Sequence, residues 1–403
     1  MAIPSALRPV APVAADRLLA TPGRAPARRN ALLELADGTI TAVTDTEPLT
    51  ADVGGPGTLV LPGLTNAHDH GRGLKRLAYG ATDAALEIWL PQLGVTHLAV
   101  DPYTIHAVAF ARMARSGITS VVHCHVPQRW DRIVEEAKKT CRAARDVGIR
   151  LAFVVPLRDI NLLGYGDPER ILEHADAGDR ETIRARWGAA PPPLDAQFAF
   201  VDAVATACES DTVQVQFGPY GDAFASRQIL ERVADKSAAS GRCVHMHCGE
   251  TRLQREWVDA SYQRYYVAYL DRIGFLSERL TLAHGVWLRP DECKILADRG
   301  VTVSVNTSSN LRRRSGLAPV ADFVTKDVPI AIGLDGSALD DDDDMLRELR
   351  LTYLLHAGTA LDEVLNPERV VTAACAQGAC SATGRRGYGE LAPGHPADLV
   401  VLD

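Results

Sequence analysis

The sequence predicts an α/β protein, a parallel (β/α)8 barrel with a small β-sandwich domain built from the N- and C-terminal segments. After about position 60, a short β-branched run, a polar or Gly-containing loop and a helical stretch recur along the chain. The helical stretches, such as 131–145 and 227–236, carry apolar residues three and four positions apart, as amphipathic helices do. Reactive side chains follow the strands, and in such barrels the C-terminal strand ends meet. A doubly wound open sheet, the rival fold, would gather them at one switch point.

Eight short apolar or β-branched runs supply the strands that a barrel of this kind needs. Each is bounded by polar, Gly or Pro residues, which favours a strand over a buried helix. In chain order, the predicted barrel strands are residues 58–61, 118–122, 150–156, 213–217, 242–247, 280–283, 301–305 and 329–333.

The two ends of the chain have a different pattern. Residues 30–48 read as two short strands joined at Asp37-Gly38, a dipeptide typical of hairpin turns, and residues 394–403 end in another apolar strand. We therefore expect the ends to meet in one small β domain beside the barrel. The predicted division is 1–57 for its N-terminal part, 58–384 for the barrel and 385–403 for its C-terminal part.

A long insertion, residues 158–195, follows the third predicted strand. Its last part, residues 187–193, is a loop by composition because it contains Gly and three consecutive Pro residues. Long insertions at this position usually serve as lids or as dimer contacts, and we expect one of these roles here.

Composition and charge exclude several classes of function. The chain has 403 residues, 46% of them apolar, and no apolar run approaches the roughly 20 residues that cross a bilayer. A secretory signal is not recognisable at the N-terminus, and eight scattered cysteines lack a disulfide framework spacing. The net charge of −8 argues against nucleic acid as a partner. We expect a soluble cytoplasmic homo-oligomer that acts on a small molecule, with neither nucleic acid nor membrane as partner.

The pair His68 and His70 is the most informative local pattern. Residues two apart on a strand point the same way, so both imidazoles can reach one cation while Asp69 points away. A lone pair of this kind is common among ordinary buried histidines, so it needs support from elsewhere in the chain. That support comes from three later strand ends: His245-Met246-His247-Cys248-Gly249-Glu250, Ala283-His284-Gly285 and Leu334-Asp335-Gly336.

Two imidazoles from the first strand, one from the fifth and a carboxylate from the eighth would form a mixed nitrogen and oxygen site. Such a donor set suits zinc or another divalent transition metal, and an open position for water would make the site catalytic. His245 and His247 share a strand face, so either could be the ligand from the fifth strand. We favour His247, which lies nearer the strand end and three residues before Glu250, and place His245 one layer deeper.

Glu250 is the candidate general acid and base, since attack by water needs a group that accepts its proton and delivers it to the leaving nitrogen. The alternative for Glu250 is a carboxylate at a helix N-terminus. Asp335 can ligate the metal and accept a proton, and His284 can polarise the water or the substrate. Taken singly, His284 is better explained as a capped strand end and Asp335 as a turn aspartate. Together, the residues favour a catalytic set.

At this point the chain resembles the amidohydrolase superfamily, specifically its mononuclear branch of cytosine-, guanine- and adenosine-type deaminases and triazine hydrolases. The resemblance implies His68, His70, His247 and Asp335 as ligands of one divalent transition metal per subunit, Zn²⁺ or else Fe²⁺, with Glu250, His284 and Asp335 catalytic. The motifs that carry it are residues 62–70, His247-x-x-Glu250, His284, Asp335, residues 306–311 and residues 389–400.

The fourth strand supports a single metal, since residues 212–220 contain neither the lysine nor the carboxylate that bridges two metals in binuclear relatives. Nucleoside-type deaminases carry a histidine after this strand, where the present chain has Tyr220. A small, planar, neutral or weakly cationic substrate is expected, and the consecutive Arg312, Arg313 and Arg314 are expected to be solvated. The residues expected to line its pocket are Trp89, His125, Tyr220, Asn306 and Asn310, with core packing as the alternative for His125.

The aspartate run 340–344 precedes a predicted helix that begins at Met345. It is most simply an acidic helix N-terminus, and a second bound cation is the alternative.

These features predict hydrolysis of a non-peptide C–N bond, with deamination of a small aromatic or cyclic nitrogen compound as the leading hypothesis. The alternative on the same scaffold is hydrolysis of an amide, urea or carbamate, which needs the same activated water but a different leaving group. A metal-free binding barrel is disfavoured, because an unpaired cluster of buried polar groups is costly.

Overall fold

Eight parallel strands form the larger sheet, which confirms the barrel. The computed structural model describes residues 9–96, 98–187, 190–385 and 387–403. Neighbours in this sheet follow one another in chain order, and every strand pair is parallel. The barrel strands are β5 (Leu64–Asp69), β6 (Ile118–Cys124), β7 (Arg150–Leu157), β8 (Val213–Pro219), β9 (Val244–Cys248), β10 (Leu280–His284), β11 (Thr302–Val305) and β12 (Ile330–Ile332).

Helices follow most of these strands and bury their apolar faces against the outside of the barrel. In α3, for example, Ile133, Ala137, Cys141 and Ala144 recur at helical spacing and are buried. The helices are α1 (Leu86–Val95), α2 (Pro102–Arg115), α3 (Ile133–Val147), α4 (Pro168–Leu172), α5 (Arg180–Trp187), α6 (Leu194–Cys208), α7 (Arg227–Ser240), α8 (Arg252–Tyr262), α9 (Tyr266–Arg272), α10 (Pro290–Asp298), α11 (Thr307–Arg312), α12 (Val320–Thr325), α13 (Met345–His356), α14 (Pro367–Thr372) and α15 (Gly378–Thr383).

The smaller sheet joins the two ends of the chain, as predicted. Its strands lie in the order β13-β4-β1-β2-β3. Asp37 and Gly38, both with positive φ (46° and 73°), form the tight turn of the expected hairpin. The strands of this sheet are β1 (Pro9–Leu18), β2 (Arg28–Ala36), β3 (Thr39–Asp45), β4 (Val53–Pro62) and β13 (Leu399–Leu402).

The first barrel strand lies further along the chain than predicted. Residues 58–61 belong to β4, which pairs with β1 and β13 in the small sheet, and the barrel begins at β5. Residues 58–69 are almost continuously buried in both sheets, so their apolar pattern has no break where the chain passes from one sheet to the other. The proposed boundary between residues 57 and 58 falls inside β4.

The insertion contains α4 and α5, and part of the predicted loop 187–193 lies outside the described residues. Its role as lid or dimer contact stays a prediction. None of the helices in the described part of the chain has the length and apolar character needed to span a bilayer.

The barrel closes where β5 meets the segment after β12. The Asp335 amide donates to the His68 carbonyl at 2.8 Å, and the Leu334 amide donates to Asn66 Oδ1 at 2.9 Å. Gly333 lies against this seam: a Cβ added there would fall 2.9 Å from the His68 amide nitrogen and 2.4 Å from Asn306 Oδ1. Only a residue without a side chain allows the two ends of the sheet to approach this closely.

Gly333→Ala should therefore lower the free energy of unfolding by about 1–3 kcal/mol, because the added methyl group overpacks the seam. Denaturant titration followed by circular dichroism measures the change. Gly178→Ala is the matched control, since no atom lies within 4 Å of the Cβ it adds. Equal stability of the two variants would contradict the steric role of Gly333.

Candidate functional site

Four side chains from three strand ends converge inside the C-terminal mouth of the barrel. Asp335 Oδ1 lies 3.4 Å from His68 Nε2 and 3.2 Å from His70 Nε2, and His70 Nε2 lies 3.3 Å from His247 Nε2. Ligand atoms held about 2.1 Å from a tetrahedral zinc ion lie about 3.4 Å from one another. These three separations are those expected around one metal ion. His68, His70 and Asp335 form one candidate metal cluster, and His247 reaches it through His70.

Burial leaves two of the four ligand atoms without a hydrogen-bond partner among the described residues. These are His68 Nε2 and Asp335 Oδ1, on side chains with 0% and 7% exposure. Orphaned polar atoms at this depth are costly unless a ligand satisfies them. Their presence at the point of convergence is independent support for a metal site.

The ionisation states suit metal binding. Burial lowers the pKa of His68 to about 4 and holds the pKa of His247 well below its usual range. Burial alone would raise the pKa of Asp335, but hydrogen bonding and charge from His68 and His70 hold it well below its usual range. Neutral imidazoles and an ionised carboxylate are the forms in which these side chains bind metals.

The second nitrogen of each candidate histidine ligand is held by a neighbour. His70 Nδ1 donates to the Cys124 carbonyl at 2.9 Å, and His247 Nδ1 donates to the Tyr220 carbonyl at 2.5 Å. His68 Nδ1 lies 2.8 Å from His245 Nε2, one layer deeper in the barrel. These contacts direct each Nε2 towards the site, and they place His245 where the sequence predicts it.

Asp335 and His284 both have positive φ, 56° and 76°, which is uncommon for residues other than glycine. Such conformations persist where the surrounding contacts enforce them, and they concentrate at functional sites. For Asp335 those contacts are the bond to the His68 carbonyl and a hydrogen bond from Ser309 Oγ to Oδ2 at 2.5 Å.

Asp69 points away from the site, as expected, and connects the two halves of the seam. Its carboxylate accepts from the Gly71 amide at 2.6 Å, from Asn66 Nδ2 at 2.8 Å and from the Gly336 amide at 2.7 Å. It thereby ties the His68–His70 segment to the turn that carries Asp335.

Glu250 lies beside the ligands without joining them. Its Oε2 is 3.8 Å from His284 Nε2, and the residue is only 4% exposed. Burial, helped by the charges of Asp335, Glu87 and Asp222 and opposed by that of His284, raises the pKa of Glu250 to about 7. The N-cap of α8 is Thr251, with a capping box to Gln254, so helix capping does not explain Glu250.

His284 is oriented by two asparagines. Its Nδ1 lies 3.0 Å from Asn310 Oδ1 and 3.3 Å from Asn306 Nδ2, and its Nε2 faces Glu250. Asn306 and Asn310 are fully or almost fully buried. They contact His284 and influence the site by orienting its imidazole ring. A hydrogen bond from Nδ1 to Asn310 leaves Nε2 as an acceptor.

Trp89 and Tyr220 lie close to the ligands, each with an arginine over its ring. The Tyr220 ring centroid is 5.4 Å from that of His247, and the Arg158 guanidinium carbon is 5.4 Å from the Tyr220 centroid. Arg72 lies 4.9 Å from the Trp89 centroid, and its Nη1 donates to the Asp335 carbonyl at 2.5 Å.

The expectation that the three consecutive arginines are solvated is wrong for two of them. Arg312 is 9% exposed and Arg313 is 2% exposed, whereas Arg314 is exposed. The reason is their position at the end of α11, whose residues Ser309 and Asn310 already contact the site. Consecutive charged residues are usually solvated, but Arg312 and Arg313 are packed beneath the residues that follow β5 and β12.

The structure does not bring His125 to the site. Its Nε2 lies 3.0 Å from Glu136 and its Nδ1 lies 3.4 Å from His123 Nε2, in a buried group that also includes His106. β6, predicted as residues 118–122, extends to Cys124, so His123 lies on it and His125 follows its end. Which neighbour the His125 imidazole meets depends on the position of α3, which carries Glu136.

The aspartate run begins α13, as predicted. Asp344 is the N-cap and accepts from the amides of Leu346 and Arg347. The other carboxylates have cationic partners: Asp340 and Asp342 pair with Arg347, Asp341 with Arg312, and Asp343 with Lys75. These pairs account for the run without a second cation.

Sequence reasoning missed Asp69, Ser309, Arg72 and Arg313 as parts of the site. Asp69 and Ser309 stand within motifs already quoted, so their placement beside recognised ligands was a usable signal. No sequence pattern distinguishes Arg72 or Arg313 from surface arginines, because both reach the site from loops.

The chain is similar to known proteins over nearly its whole length. The family model for the amidohydrolase family matches residues 59–403. A 5-methylthioadenosine/S-adenosylhomocysteine deaminase from Nitratidesulfovibrio vulgaris is 30% identical over 383 residues, 92% of this chain and 79% of that protein. A 5′-deoxyadenosine deaminase from Methanothermobacter thermautotrophicus is 28% identical over 383 residues, 93% of this chain and 81% of that protein. A zinc-bound adenosine deaminase from Xanthomonas campestris superimposes with a TM-score of 0.78 and 25% identity, covering 97% and 84% of the two chains. These matches confirm the resemblance that the motifs predict.

His247→Ala should abolish tight metal binding, whereas His245→Ala should leave most of it and mainly perturb packing. The reason is that His247 Nε2 faces the other ligand atoms while His245 contacts them only through His68. Elemental analysis of both variants, purified without chelator, measures the difference. Metal loss in the reverse order would show that the ligand from β9 is misassigned.

Proposed function

The chain belongs to the amidohydrolase family, and from this premise we propose that it is a metal-dependent aminohydrolase of small aromatic or cyclic nitrogen compounds. The reaction replaces an amino group on an sp² carbon by oxygen and releases ammonia. Relatives named as deaminases support this reaction class. One metal ion per subunit, a homo-oligomeric assembly and a cytoplasmic location are further parts of the proposal.

The convergence of His68, His70, His247 and Asp335 at one point carries the proposal. Three neutral imidazoles and one carboxylate suit a divalent transition metal, zinc first and Fe²⁺ as the alternative. When bound, such an ion supplies a water activated for nucleophilic attack at neutral pH. The zinc bound by the Xanthomonas campestris enzyme supports the choice of metal.

We assign proton transfer to Glu250. A carboxyl group whose pKa is near 7 can accept a proton from the attacking water and return it at the same pH. The leaving amine must be protonated before it departs, and we assign this step to Glu250, whose Oε2 lies 3.8 Å from His284 Nε2. Glu250 lies outside the proposed ligand set, so its carboxyl group is available for proton transfer.

His284 and Asp335 orient the reacting water from the other side. The His284 side chain is 1% exposed, and its Nε2 lacks a hydrogen-bond partner among the described residues. This nitrogen can therefore accept a hydrogen bond from the water or the substrate. Asp335 Oδ2 is engaged by Ser309, so Oδ1 is the atom available to the site.

Ammonia release tests the function. The metal-loaded enzyme is incubated with heterocyclic amines, and separately with amides, ureas and carbamates, and ammonia and the organic product are quantified. Conversion of a ring amine to the corresponding oxo compound, with one ammonia per turnover, supports the proposal. Turnover confined to the amides, ureas and carbamates would replace it with the alternative function on the same scaffold.

Glu250→Gln should reduce kcat by roughly 10²-fold or more, because glutamine keeps the size and hydrogen-bonding reach of glutamate but cannot carry the proton. Metal content and circular dichroism should be unchanged, since Glu250 lies outside the ligand set. Near-native turnover, or loss of metal, would refute the assignment.

A further inference from the structure

Arg313 is a buried cation whose donors are only partly used. Its Nη2 donates to Asp83 at 2.7 Å, while Nε and Nη1 have no hydrogen-bond partner among the described residues. The side chain is 2% exposed. A buried guanidinium with unsatisfied N–H groups is costly, so its retention at this depth calls for a ligand.

Arg313 directly follows α11 and continues its last turn, which directs it to the mouth of the barrel. Its amide donates to the Ser309 carbonyl at 2.8 Å, one helical turn earlier, and residues three and four apart lie on the same helix face. On that face Ser309 contacts Asp335 and Asn310 contacts His284.

Trp89 makes cation–π contacts with Arg313 and with a second cation, Arg72, which contacts Asp335 at the proposed metal centre. The Arg313 guanidinium carbon lies 4.0 Å from the Trp89 ring centroid, and that of Arg72 lies 4.9 Å from the same centroid. Arg72 in turn donates to the Asp335 carbonyl, with its Nη1 3.8 Å from Asp335 Oδ1. The stack on Trp89 holds both side chains in place and contributes attraction, but it supplies no hydrogen-bond acceptor.

The carboxylates near Trp89 are shared or already engaged. Asp83 accepts from both Arg313 Nη2 and Arg312 Nε. Asp341 pairs with Arg312, and Asp335 is a candidate metal ligand. None of these three carboxylates is therefore devoted to Arg313 or Arg72 alone.

Burial lowers the pKa of Arg313 to about 10, and the charge of Arg72 adds to this effect while Asp83 and Asp335 oppose it. The direction agrees with the geometry, since an anion placed here would restore the favourable surroundings of the cation.

We propose that Arg313, with Arg72, forms an anion subsite beside the metal centre, and that the substrate is a planar nitrogen compound bearing an anionic oxygen group, a carboxylate or a phosphate. This proposal rests on the proposed hydrolase function and names its substrate class. It replaces the expectation of a neutral or weakly cationic substrate, which depended on solvated arginines.

Matched substrate pairs test the subsite in the metal-loaded full-length enzyme. Each pair shares a ring amine and differs in one anionic group: cytosine and 5-carboxycytosine, pterin and pterin-6-carboxylate, adenosine and adenosine 5′-monophosphate. We expect kcat/KM to be about tenfold or more higher for the anionic member of the preferred pair, because that member forms charge-assisted hydrogen bonds with the arginines. A preference for the anionic member in the first two pairs indicates a carboxylate, and a preference in the third pair indicates a phosphate.

Arg313→Met removes the charge while keeping an unbranched apolar stem, and Asp83 still has Arg312 as a partner. This variant should lower the preference for the anionic member by about tenfold, and Arg313→Lys should retain part of it. Arg314→Met, the same change at the exposed neighbouring residue, should leave the preference unchanged. A wild-type enzyme that favours the neutral member of every pair, or an Arg313→Met variant with the wild-type preference, would overturn the proposal.

Binding of unreactive probes separates failure of the subsite from failure of the proposed function. Calorimetric titration with nicotinate and 3-acetylpyridine compares a carboxylate with a neutral ketone of similar shape and requires no turnover. Tighter binding of nicotinate that is lost in Arg313→Met supports the subsite even if no ring amine releases ammonia. Equal binding of the two probes by the wild-type enzyme contradicts it, whatever the enzyme hydrolyses.

Discussion

The hydrogen bonds between β5 and the turn after β12 set the geometry on which the proposed metal centre depends. The Asp335 amide bonds to the His68 carbonyl, and the Gly336 amide bonds to the Asp69 carboxylate. These bonds close the barrel and place two proposed ligands from opposite ends of the sheet side by side. Since ligand atoms must be held to within a fraction of an ångström, the rigidity of this seam matters as much as the identity of the ligands.

The seam also determines how charge is distributed in the site. Burial holds the pKa of His68 and of His247 below the usual range, whereas contacts with His68 and His70 hold the pKa of Asp335 low. The negative charge of Asp335 acts on Glu250 and helps to raise the pKa of that carboxyl group. Glu250 lies three positions after His247, beyond the end of β9, whereas Asp335 follows β12, so the two carboxyl groups come from different strands.

Sequence reasoning predicted what depends on local pattern and failed where long-range packing decides. Strand alternation was enough to pair His68 with His70, and distance from the strand end separated His247 from His245. The start of the barrel was misplaced, because buried residues run without interruption from β4 into β5. The expectation for Arg313 failed for a related reason, since its burial is imposed by Trp89 and Asp83, which lie far away in the sequence.

One short helix links the chemistry of the site to the recognition of its substrate. Within a single turn at the end of α11, Ser309 contacts Asp335, Asn310 contacts His284, and Arg313 carries the unsatisfied donors. A shift of this helix would therefore alter the metal ligand, the orienting imidazole and the proposed anion subsite together. Binding an anion at Arg313 would add a contact at the end of α11 and so stabilise the arrangement of Asp335 and His284. Substrate recognition and placement of the reacting groups are thus coupled through the backbone of one helix, without a direct contact between Arg313 and either residue.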